Sequence, residues 1–257
     1  MTEEDPGLLE QGTLTVHRKG QPSSSELFTM RLLGPEHFAA VAWVQEALMA
    51  ALHNPELYYP NPPDLLRLCL GERGLTIGTF VDDRLIGFRS ILYPGAREDN
   101  LGRDIGLAGD ELDQVAHLER TVVLPPYRGN RLQIRMTGHA IRLGIATRDV
   151  RHLFSTVAPA NVASMADKFT IGMLIVRTKE KYLHYTRHLF YQDLRTPLGI
   201  TANTSRAVEL GDLATQRQLV EVEGLVGYGL SGADEQIRVL FAQPTRQLNW
   251  RHTNKSF

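Results

Sequence analysis

The sequence predicts an α/β protein with a mixed central β-sheet flanked by helices, followed by a small C-terminal α/β appendage. Three observations lead to this prediction. Two early helical segments precede a strand pair, strands and helices then alternate from residue 115 to residue 193, and the texture changes after Thr196. Such alternation is typical of a sheet covered by helices. We therefore expect a flexible segment over residues 1–25, a main domain over 26–196 and an extension over 197–257.

Composition narrows the class of protein. The chain has 257 residues, of which 42% are hydrophobic and 22% charged, as in ordinary soluble domains. A net charge of −1 creates no field that would attract nucleic acid or anionic lipid. No apolar run approaches the ~18 residues of a membrane span, and the acidic first residues lack the apolar core of a signal peptide. We expect a cytoplasmic protein with neither nucleic-acid nor membrane partners.

The first third of the chain predicts two helices and a hairpin. Gly34-Pro35-Glu36 is typical of a helix start, because proline suits the first turn, and apolar residues continue to about Leu52. A Pro- and Tyr-rich loop over His53–Pro63 follows. The remaining elements are a helix from Asp64 to Gly71, which would bury the single cysteine, Cys69, and two strands, Leu75–Val81 and Leu85–Tyr93, joined by Asp82-Asp83-Arg84.

The stretch from Pro94 to Gln114 has no clear period and carries six acidic residues and four glycines. Structureless stretches of this length are usually functional or mobile. Two interpretations stay open: a loop at the mouth of a binding site, or a disordered excursion.

The later segments alternate between strand and helix. Asp212 is a good N-cap, and the extension it belongs to is too short to bury a core of its own. We expect the extension to pack on the main sheet or on a second copy in a homodimer. The predicted elements are strands over 115–124, 152–157, 174–177 and 182–193, helices over 131–147, 162–170 and 213–223, and a second hairpin over 225–230 and 236–241.

The junction after the strand that begins at Val115 is the most informative part of the sequence. An apolar run ends at Pro125-Pro126, Tyr127-Arg128-Gly129-Asn130 follows as a tight turn, and a helix begins at once. Proline cannot continue a sheet ladder, and a helix N-terminus directs unpaired amides and a positive dipole end at the bend. The pattern predicts a cradle for an anion such as a pyrophosphate.

This junction resembles the acyl-CoA-binding motif of the GCN5-related N-acetyltransferases (GNAT). Val123, Pro125, Arg128 and Gly129 match the motif, whereas Arg131 and Gln133 stand where the family has small residues. A second segment is similar to the family as well: the strand over 152–157, the turn at Asn161, the helix over 162–170 and the closing Gly172. The resemblance covers roughly residues 27–195.

The resemblance implies an acyl-CoA co-substrate, acetyl-CoA in the first place, and direct attack of an amine on the acyl carbonyl. Family members bind the pyrophosphate with backbone amides and the pantetheine arm with the preceding strand. The implied cofactor-binding residues are Val122, Val123, Leu124, Arg128, Gly129, Asn130, Arg131, Leu132, Asn161 and Ser164.

Arg131 is the first departure from the family pattern. If its φ is that of an ordinary helix, the arginine is tolerated and its guanidinium adds a phosphate contact. If its φ is positive, the side chain is in conflict with the position. We favour ordinary helical geometry, because the residue falls in the first turn.

Candidate proton-transfer residues precede the cradle. Period-2 alternation places His117, Glu119 and Thr121 on one face of the strand. Glu119 is the candidate base, at a position where many family members carry a carboxylate, and His117 is a candidate helper near neutral pH. A solvated or ion-paired strand face is the alternative.

Lys168 is the second departure, since it stands where many family members have a tyrosine that protonates the leaving thiolate. We expect an exposed helix lysine there. The histidines lack metal-ligand spacing: His184 and His188 have no third ligand. No metal site is predicted.

The leading hypothesis is a CoA-dependent N-acyltransferase, most simply an acetyltransferase, that acts on a small-molecule amine. Two alternatives stay open. One is a catalytically degenerate acyl-CoA-binding sensor or assembly module, which Arg131 and Lys168 favour. The other is a protein amine acetyltransferase.

Overall fold

The computed structural model of the protein describes residues 7–51, 61–181, 185–201, 203–233 and 236–246. The chain divides into two compact units. The first comprises Met1–Tyr93 and Leu118–Asp149, and the second comprises Pro94–His117 and Val150–Phe257. The expected loop over 53–60, together with Tyr182 and His184, lies outside the described residues. Among those that are described, no helix has the length and apolar character needed to cross a bilayer.

The elements of the first unit are β1 (Leu8–Val16), β2 (Ser24–Leu33), α1 (Phe38–Ala50), α2 (Pro63–Leu70), β3 (Gly74–Val81), β4 (Arg84–Leu92), the larger part of β5 (Val115–Val123) and α3 (Leu132–Arg148). The five strands lie in the order β1-β2-β3-β4-β5. The pairs β1–β2, β2–β3 and β3–β4 are antiparallel. Helix α3 contacts β3 and β4, and α1 and α2 also contact this sheet.

The elements of the second unit are the first residues of β5, β6 (His152–Val157), α4 (Val162–Thr170), β7 (Leu174–Lys181), β8 (Tyr185–Asp193), β9 (Arg206–Glu209), α5 (Leu213–Glu221), β10 (Val226–Ser231) and β11 (Arg238–Ala242). Its strands lie in the order β5-β6-β8-β7-β10-β11-β9. The β5–β6 pair is parallel, whereas β6–β8, β7–β8 and β7–β10 are antiparallel, so the sheet is mixed. The predicted fold class, a mixed sheet flanked by helices, is confirmed.

The hairpin between β3 and β4 shows why its sequence signal is reliable. Asp82 and Asp83 have φ of 47° and 59°. Two successive positive φ values are those of a type I′ turn, whose twist matches paired strands and which aspartate tolerates better than most residues. The predicted hairpin is therefore present at the predicted position.

The prediction of a loose segment over residues 1–25 is wrong for its described part. Residues 8–16 form β1, which pairs along its whole length with β2. Leu14 and Val16 are buried, while Thr13 and Thr15 are exposed. Period-2 burial of this kind is typical of a strand with one face on a core, and the glycines and serines of this segment hide it in the sequence.

The stretch from Pro94 to Gln114 is also ordered, which corrects the expectation of a structureless loop. It contains two 3₁₀ turns, Leu101–Ile105 and Gly109–Gln114. Leu101 and Ile105 belong to a hydrophobic cluster with Phe154 and Leu189 of the second unit. Burial of apolar side chains offsets the entropy of ordering a stretch without a regular period.

Candidate functional site

The candidate cofactor site starts where β5 ends. The amide of Leu124 donates to the carbonyl of Ile86 (3.0 Å), and the carbonyl of Leu124 accepts from the amide of Tyr127 (3.0 Å). Pro125–Tyr127 form one 3₁₀ turn with Tyr127 buried. The strand therefore ends in a fixed corner, and both backbone groups of Leu124 are already hydrogen-bonded. Of the three residues predicted to bind the pantetheine arm through the backbone, Leu124 has no amide to offer.

Two residues of the following bend have left-handed backbone geometry. Gly129 has φ of 85°, and a β-carbon placed on it would meet nothing within 4 Å. The position thus needs glycine for its conformation, whereas space is not limiting. The match of Gly129 to the family motif has a clear physical cause.

Arg131 corrects a prediction. Its φ is 55°, and it is the N-cap of α3 rather than a residue with ordinary helical geometry. A non-glycine residue in this region costs roughly 1–2 kcal/mol. The family's small residue at this position is therefore explained by backbone conformation, and this chain places an exposed arginine there at a cost in stability.

The start of α3 favours an anion. No side chain of the N-cap accepts a hydrogen bond from the first turn of this 17-residue helix. First-turn amides and the positive end of the helix dipole therefore face the bend. Arg128 is exposed beside them, with its Nε directed at the carbonyl of Val123 (3.3 Å). Backbone amides, the helix dipole and two arginines lie together at residues 128–132, the predicted cradle, and anion binding there stays a prediction.

Asn130 connects this bend to β1. Its Oδ1 accepts from the amide of Thr15 (2.8 Å), and its Nδ2 donates to the carbonyls of Thr15 (2.6 Å) and Tyr127 (3.0 Å). Sequence analysis predicted Asn130 as a cofactor-binding residue but missed the involvement of Thr15. No local signal could have revealed it, because the two residues are 115 positions apart.

Glu119 lies half-buried on β5 in the first unit, close enough to Cys69 of α2 for its charge to act on that thiol. Burial raises the pKa of the Cys69 thiol strongly, and the charge of Glu119 raises it further. Cys69 is 1% exposed. The predicted buried cysteine is confirmed, and its proton is held too tightly for a nucleophile.

Arg120, the neighbour of Glu119, is part of a buried polar cluster. Its Nε and a terminal nitrogen both donate to Oδ1 of Asn61 (3.2 and 2.9 Å). The amide of Asn61 donates to Oε1 of Gln45 (3.1 Å), and Nε2 of Gln45 donates back to the Asn61 carbonyl (3.0 Å). This cluster fixes the start of α2 against α1 and β5 within the first unit.

Thr121, expected on the same face as Glu119, binds a buried arginine instead of solvent. The guanidinium of Arg89 donates to the hydroxyl of Thr121 and to that of Thr137 on α3 (2.9 Å). Arg89 is 2% exposed. Thr121 therefore has a structural partner that links β4, β5 and α3.

His117 belongs to the second unit and is buried, with 4% exposure. Its Nε2 accepts from the amide of Leu101 (3.0 Å), so that this nitrogen carries no proton while the bond exists. The histidine thereby holds the first 3₁₀ turn of the Pro94–Gln114 stretch. Asp104 of the same turn forms ion pairs with Lys179 and Lys181 of β7.

The second family segment lies in the second unit. Asn161 is the N-cap of α4, and its Oδ1 accepts from the amide of Ser164 (3.1 Å). Gly172 follows the helix with φ of 85°. Both features are those of a well-capped helix. Cofactor binding by Asn161 and Ser164 stays a prediction.

Lys168 differs from its expected exposure. It is 3% exposed, on the inner face of α4 with Met165.

His188, on β8, is fully buried, and its Nδ1 lies 2.9 Å from the hydroxyl of Thr178. Burial lowers the pKa of His188 to about 4, so this histidine is neutral near pH 7.

No protein-family model and no curated protein matches the chain. Solved structures do. Arabidopsis thaliana NAA60 in complex with acetyl-CoA aligns with a TM-score of 0.52 at 14% identity, over 66% of this chain and 99% of that one. A putative acetyltransferase from Acinetobacter baylyi aligns with a TM-score of 0.49 at 17% identity, over 68% of this chain and 97% of that one.

Identity this low shows the fold alone. The order of helices and strands from α1 to β8 is the one that the resemblance implied, and the alignment with NAA60 spans nearly all of that protein. The chain therefore has the fold of the GCN5-related N-acetyltransferases. About a third of it lies outside the 66% that aligns.

Proposed function

We propose that this protein is a CoA-dependent N-acyltransferase that transfers an acyl group, acetyl in the first place, to the amine of a small molecule. Two findings support the proposal. The chain has the acyltransferase fold, and the structure of NAA60, with the same fold, contains acetyl-CoA. The observation that carries most weight is the cradle at residues 128–132, since it combines left-handed Gly129 with uncapped first-turn amides of α3.

The residues of the cradle fit an acyl-CoA. Backbone amides of Gly129 to Leu132 and the guanidinium groups of Arg128 and Arg131 would hold the pyrophosphate, because amides at a helix N-terminus stabilise phosphate without a net charge of their own. Val122 and Val123 remain the backbone candidates for the pantetheine arm. Acyl-CoA, when bound, supplies the acyl group as a thioester with a good leaving group.

Glu119 is the proposed proton acceptor for the ammonium form of the acceptor. It precedes the cradle on the strand that leads into it and is half-buried, which would let its carboxylate lie close to a bound amine. Its neighbour Arg120 is engaged by Asn61. His117 stays a proposed helper, and its Nε2 accepts from the amide of Leu101.

The proposal is tested by following free thiol from acetyl-CoA with a panel of small amines and of peptide N-termini. Glu119→Gln should keep the affinity for acetyl-CoA and lower turnover by about 10²-fold, the usual contribution of a general base. Glu209→Gln, an exposed acid of the C-terminal extension outside the proposed site, is the matched control and should leave turnover unchanged. Equal turnover of Glu119→Gln and the parent between pH 6 and 9 would contradict the role of Glu119.

A second candidate function is acyl-CoA binding without catalysis, in a sensor or an assembly module. Two observations favour it: Arg131 holds a strained left-handed position where the family has a small residue, and Lys168 is buried where the family has a tyrosine. The same assay separates the two functions. Tight binding of acetyl-CoA with no thiol released by any amine would support the second, and release with peptides alone would indicate a protein acceptor.

A further inference from the structure

On the side away from β2, the C-terminal end of β1 is bonded by a side chain of the cradle and not by another strand. β1 comes first in the strand order of the first unit, so β2 is its strand neighbour on one side. The outward amide and carbonyl of Thr15 are bonded by Oδ1 and Nδ2 of Asn130 at 2.8 and 2.6 Å. One side-chain amide thus supplies the donor and the acceptor that a neighbouring strand would supply.

The residue that follows β1 bonds the turn that precedes the cradle. The amide of His17 donates to the carbonyl of Pro126 (2.7 Å), within the 3₁₀ turn that precedes Arg128. Asn130 Nδ2 also donates to the carbonyl of Tyr127 (3.0 Å). The end of β1 therefore binds the bend both before and after Gly129.

These hydrogen bonds matter because the backbone conformation of the bend is intrinsically unfavourable. Gly129 and Arg131 flank Asn130, and both have positive φ, at 85° and 55°. Glycine has many other conformations to adopt, and arginine pays a steric cost in this one. A conformation of this kind persists only when surrounding contacts determine it. The contacts recorded for the Asn130 side chain go to Thr15, Tyr127 and Arg128.

We propose that Asn130 is a positioning residue for acyl-CoA: its side chain couples β1 to the bend and holds the first-turn amides of α3 ready for the pyrophosphate. The inference rests on the proposed function. It adds that affinity depends on Thr15 and His17, which lie outside the 27–195 stretch that carries the family resemblance. A loop held in its bound conformation binds more tightly, since less order is lost on binding.

A purely structural role of Asn130 makes different predictions. If its amide only closes the edge of β1, its loss lowers stability and leaves cofactor affinity alone. Coupling is reciprocal: if the β1 contacts strengthen cofactor binding, the cofactor must strengthen the β1 contacts. Protection of the Thr15 and His17 amides by the cofactor is therefore a readout that a structural role does not produce.

The experiment compares the parent, Asn130→Ala and Thr76→Val. Thr76 is buried in the same unit. Its hydroxyl donates to the carbonyl of Cys69 (3.0 Å) and lies 2.9 Å from the hydroxyl of Ser90, so its change removes two hydrogen bonds far from the cradle in sequence. Calorimetry measures the affinity for acetyl-CoA, urea unfolding measures stability, and hydrogen exchange measures the Thr15 and His17 amides with and without acetyl-CoA.

We expect Asn130→Ala to bind acetyl-CoA about tenfold more weakly, the effect of losing more than one hydrogen bond, and Thr76→Val to bind within about twofold of the parent at a comparable loss of stability. Acetyl-CoA should slow exchange at Thr15 and His17 in the parent and not in Asn130→Ala. Parent-like affinity in Asn130→Ala, or exchange at these amides that acetyl-CoA leaves unchanged, overturns the inference. A parent that does not bind acetyl-CoA refutes the proposed function itself, and the inference falls with it.

Discussion

Among the described residues, one strand in each unit has a residue whose amide and carbonyl are both bonded by side chains in place of a neighbouring strand. In the first unit Asn130 bonds the amide and the carbonyl of Thr15. In the second unit the amide of Thr178 on β7 donates to Oε1 of Glu221 (3.4 Å), and its carbonyl accepts from Nε of Arg217 (3.1 Å). Both arrangements satisfy groups that an open strand edge would expose.

The two arrangements differ in what they attach. Asn130 is neutral and belongs to the bend that forms the cradle. Glu221 and Arg217 are charged and belong to α5, in the extension after Thr196, where Glu221 also pairs with the nearly buried guanidinium of Arg177 (2.7 Å). Side-chain bonds to a strand backbone therefore fix the bend of the proposed cofactor site in one unit and the C-terminal extension in the other. Changes at the first should alter binding, and changes at the second should alter stability.

The largest expected effect comes from removing the extension. Its residues Leu219, Val220 and Phe241 are buried, and Val226 lies in the same hydrophobic cluster as Phe154. A chain that ends at Thr196 uncovers this surface and should aggregate or lose much of its stability. Val222→Ala, at an exposed residue of the extension, is the control and should behave like the parent. Size-exclusion chromatography and thermal melting check both, and a monodisperse short chain with the parent's melting temperature would remove the structural role of the extension.

The second effect concerns pH. His188 faces Thr178 and is buried, and burial lowers its pKa from 6.5 to about 4. The unfolded chain therefore binds a proton at a pH where the folded chain does not. The stability that depends on neutral His188 is complete above pH 6.5 and is lost as pH falls towards 4. The total is about 3 kcal/mol, of which about 2 kcal/mol is lost by pH 5.

Urea unfolding at pH 7.5 and pH 5 measures this loss, and His188→Gln should reduce the difference in the free energy of unfolding between the two pH values.

The pKa of Glu10, in the first unit, affects stability in a different pH range. Burial raises its pKa, but hydrogen bonds from Arg135 and His139 outweigh burial, so its pKa lies below the ordinary 4.5. Its contribution is lost only below about pH 4.5. At pH 5, amide hydrogen exchange should therefore be faster than at pH 7.5 around His188 and not yet around Glu10. Faster exchange around Glu10 alone would contradict this account.

A smaller effect is expected from Glu221→Ala. The change deprives Arg177, whose side chain is 9% exposed, of its carboxylate and the Thr178 amide of its acceptor. We expect a loss of about 2 kcal/mol in the free energy of unfolding. Glu223→Ala, which breaks an exposed pair with Arg206, should cost less than about 0.5 kcal/mol. Neither should change the affinity for acetyl-CoA; if Glu221→Ala weakens it as much as Asn130→Ala, the distinction between the two arrangements is wrong.

The sequence predicted those elements whose ends are marked by nearby capping or turn residues. β6 and α4 occur at the predicted residues, because Asn161 caps the helix and Gly172 ends it. The β3–β4 hairpin follows from its aspartate turn. For the site, Gly129 was predictable because a motif glycine signals left-handed geometry.

Other features depend on contacts far apart in the sequence. β1 lies in a segment that also contains several glycines and serines, and it is a strand because β2 pairs with it and Asn130 holds its end. The order of Pro94–Gln114 comes from His117 and from the pairing of Asp104 with Lys179. The burial of Lys168 follows from the face of α4 that meets the sheet, and the φ of Arg131 from the geometry of the bend. None of these has a local signature.

The central claim is that the start of α3 holds the pyrophosphate of acyl-CoA, and calorimetric titration with acetyl-CoA tests it most directly. Arg128→Glu reverses a charge at the cradle, and Arg142→Glu makes the same change on the exposed middle of α3, where Arg142 contacts His139. The account predicts that the parent binds, that Arg128→Glu binds at least about tenfold more weakly, a loss of about 1.4 kcal/mol, and that Arg142→Glu stays within about twofold of the parent. Equal affinities for the parent and Arg128→Glu, or no binding by the parent, would contradict it.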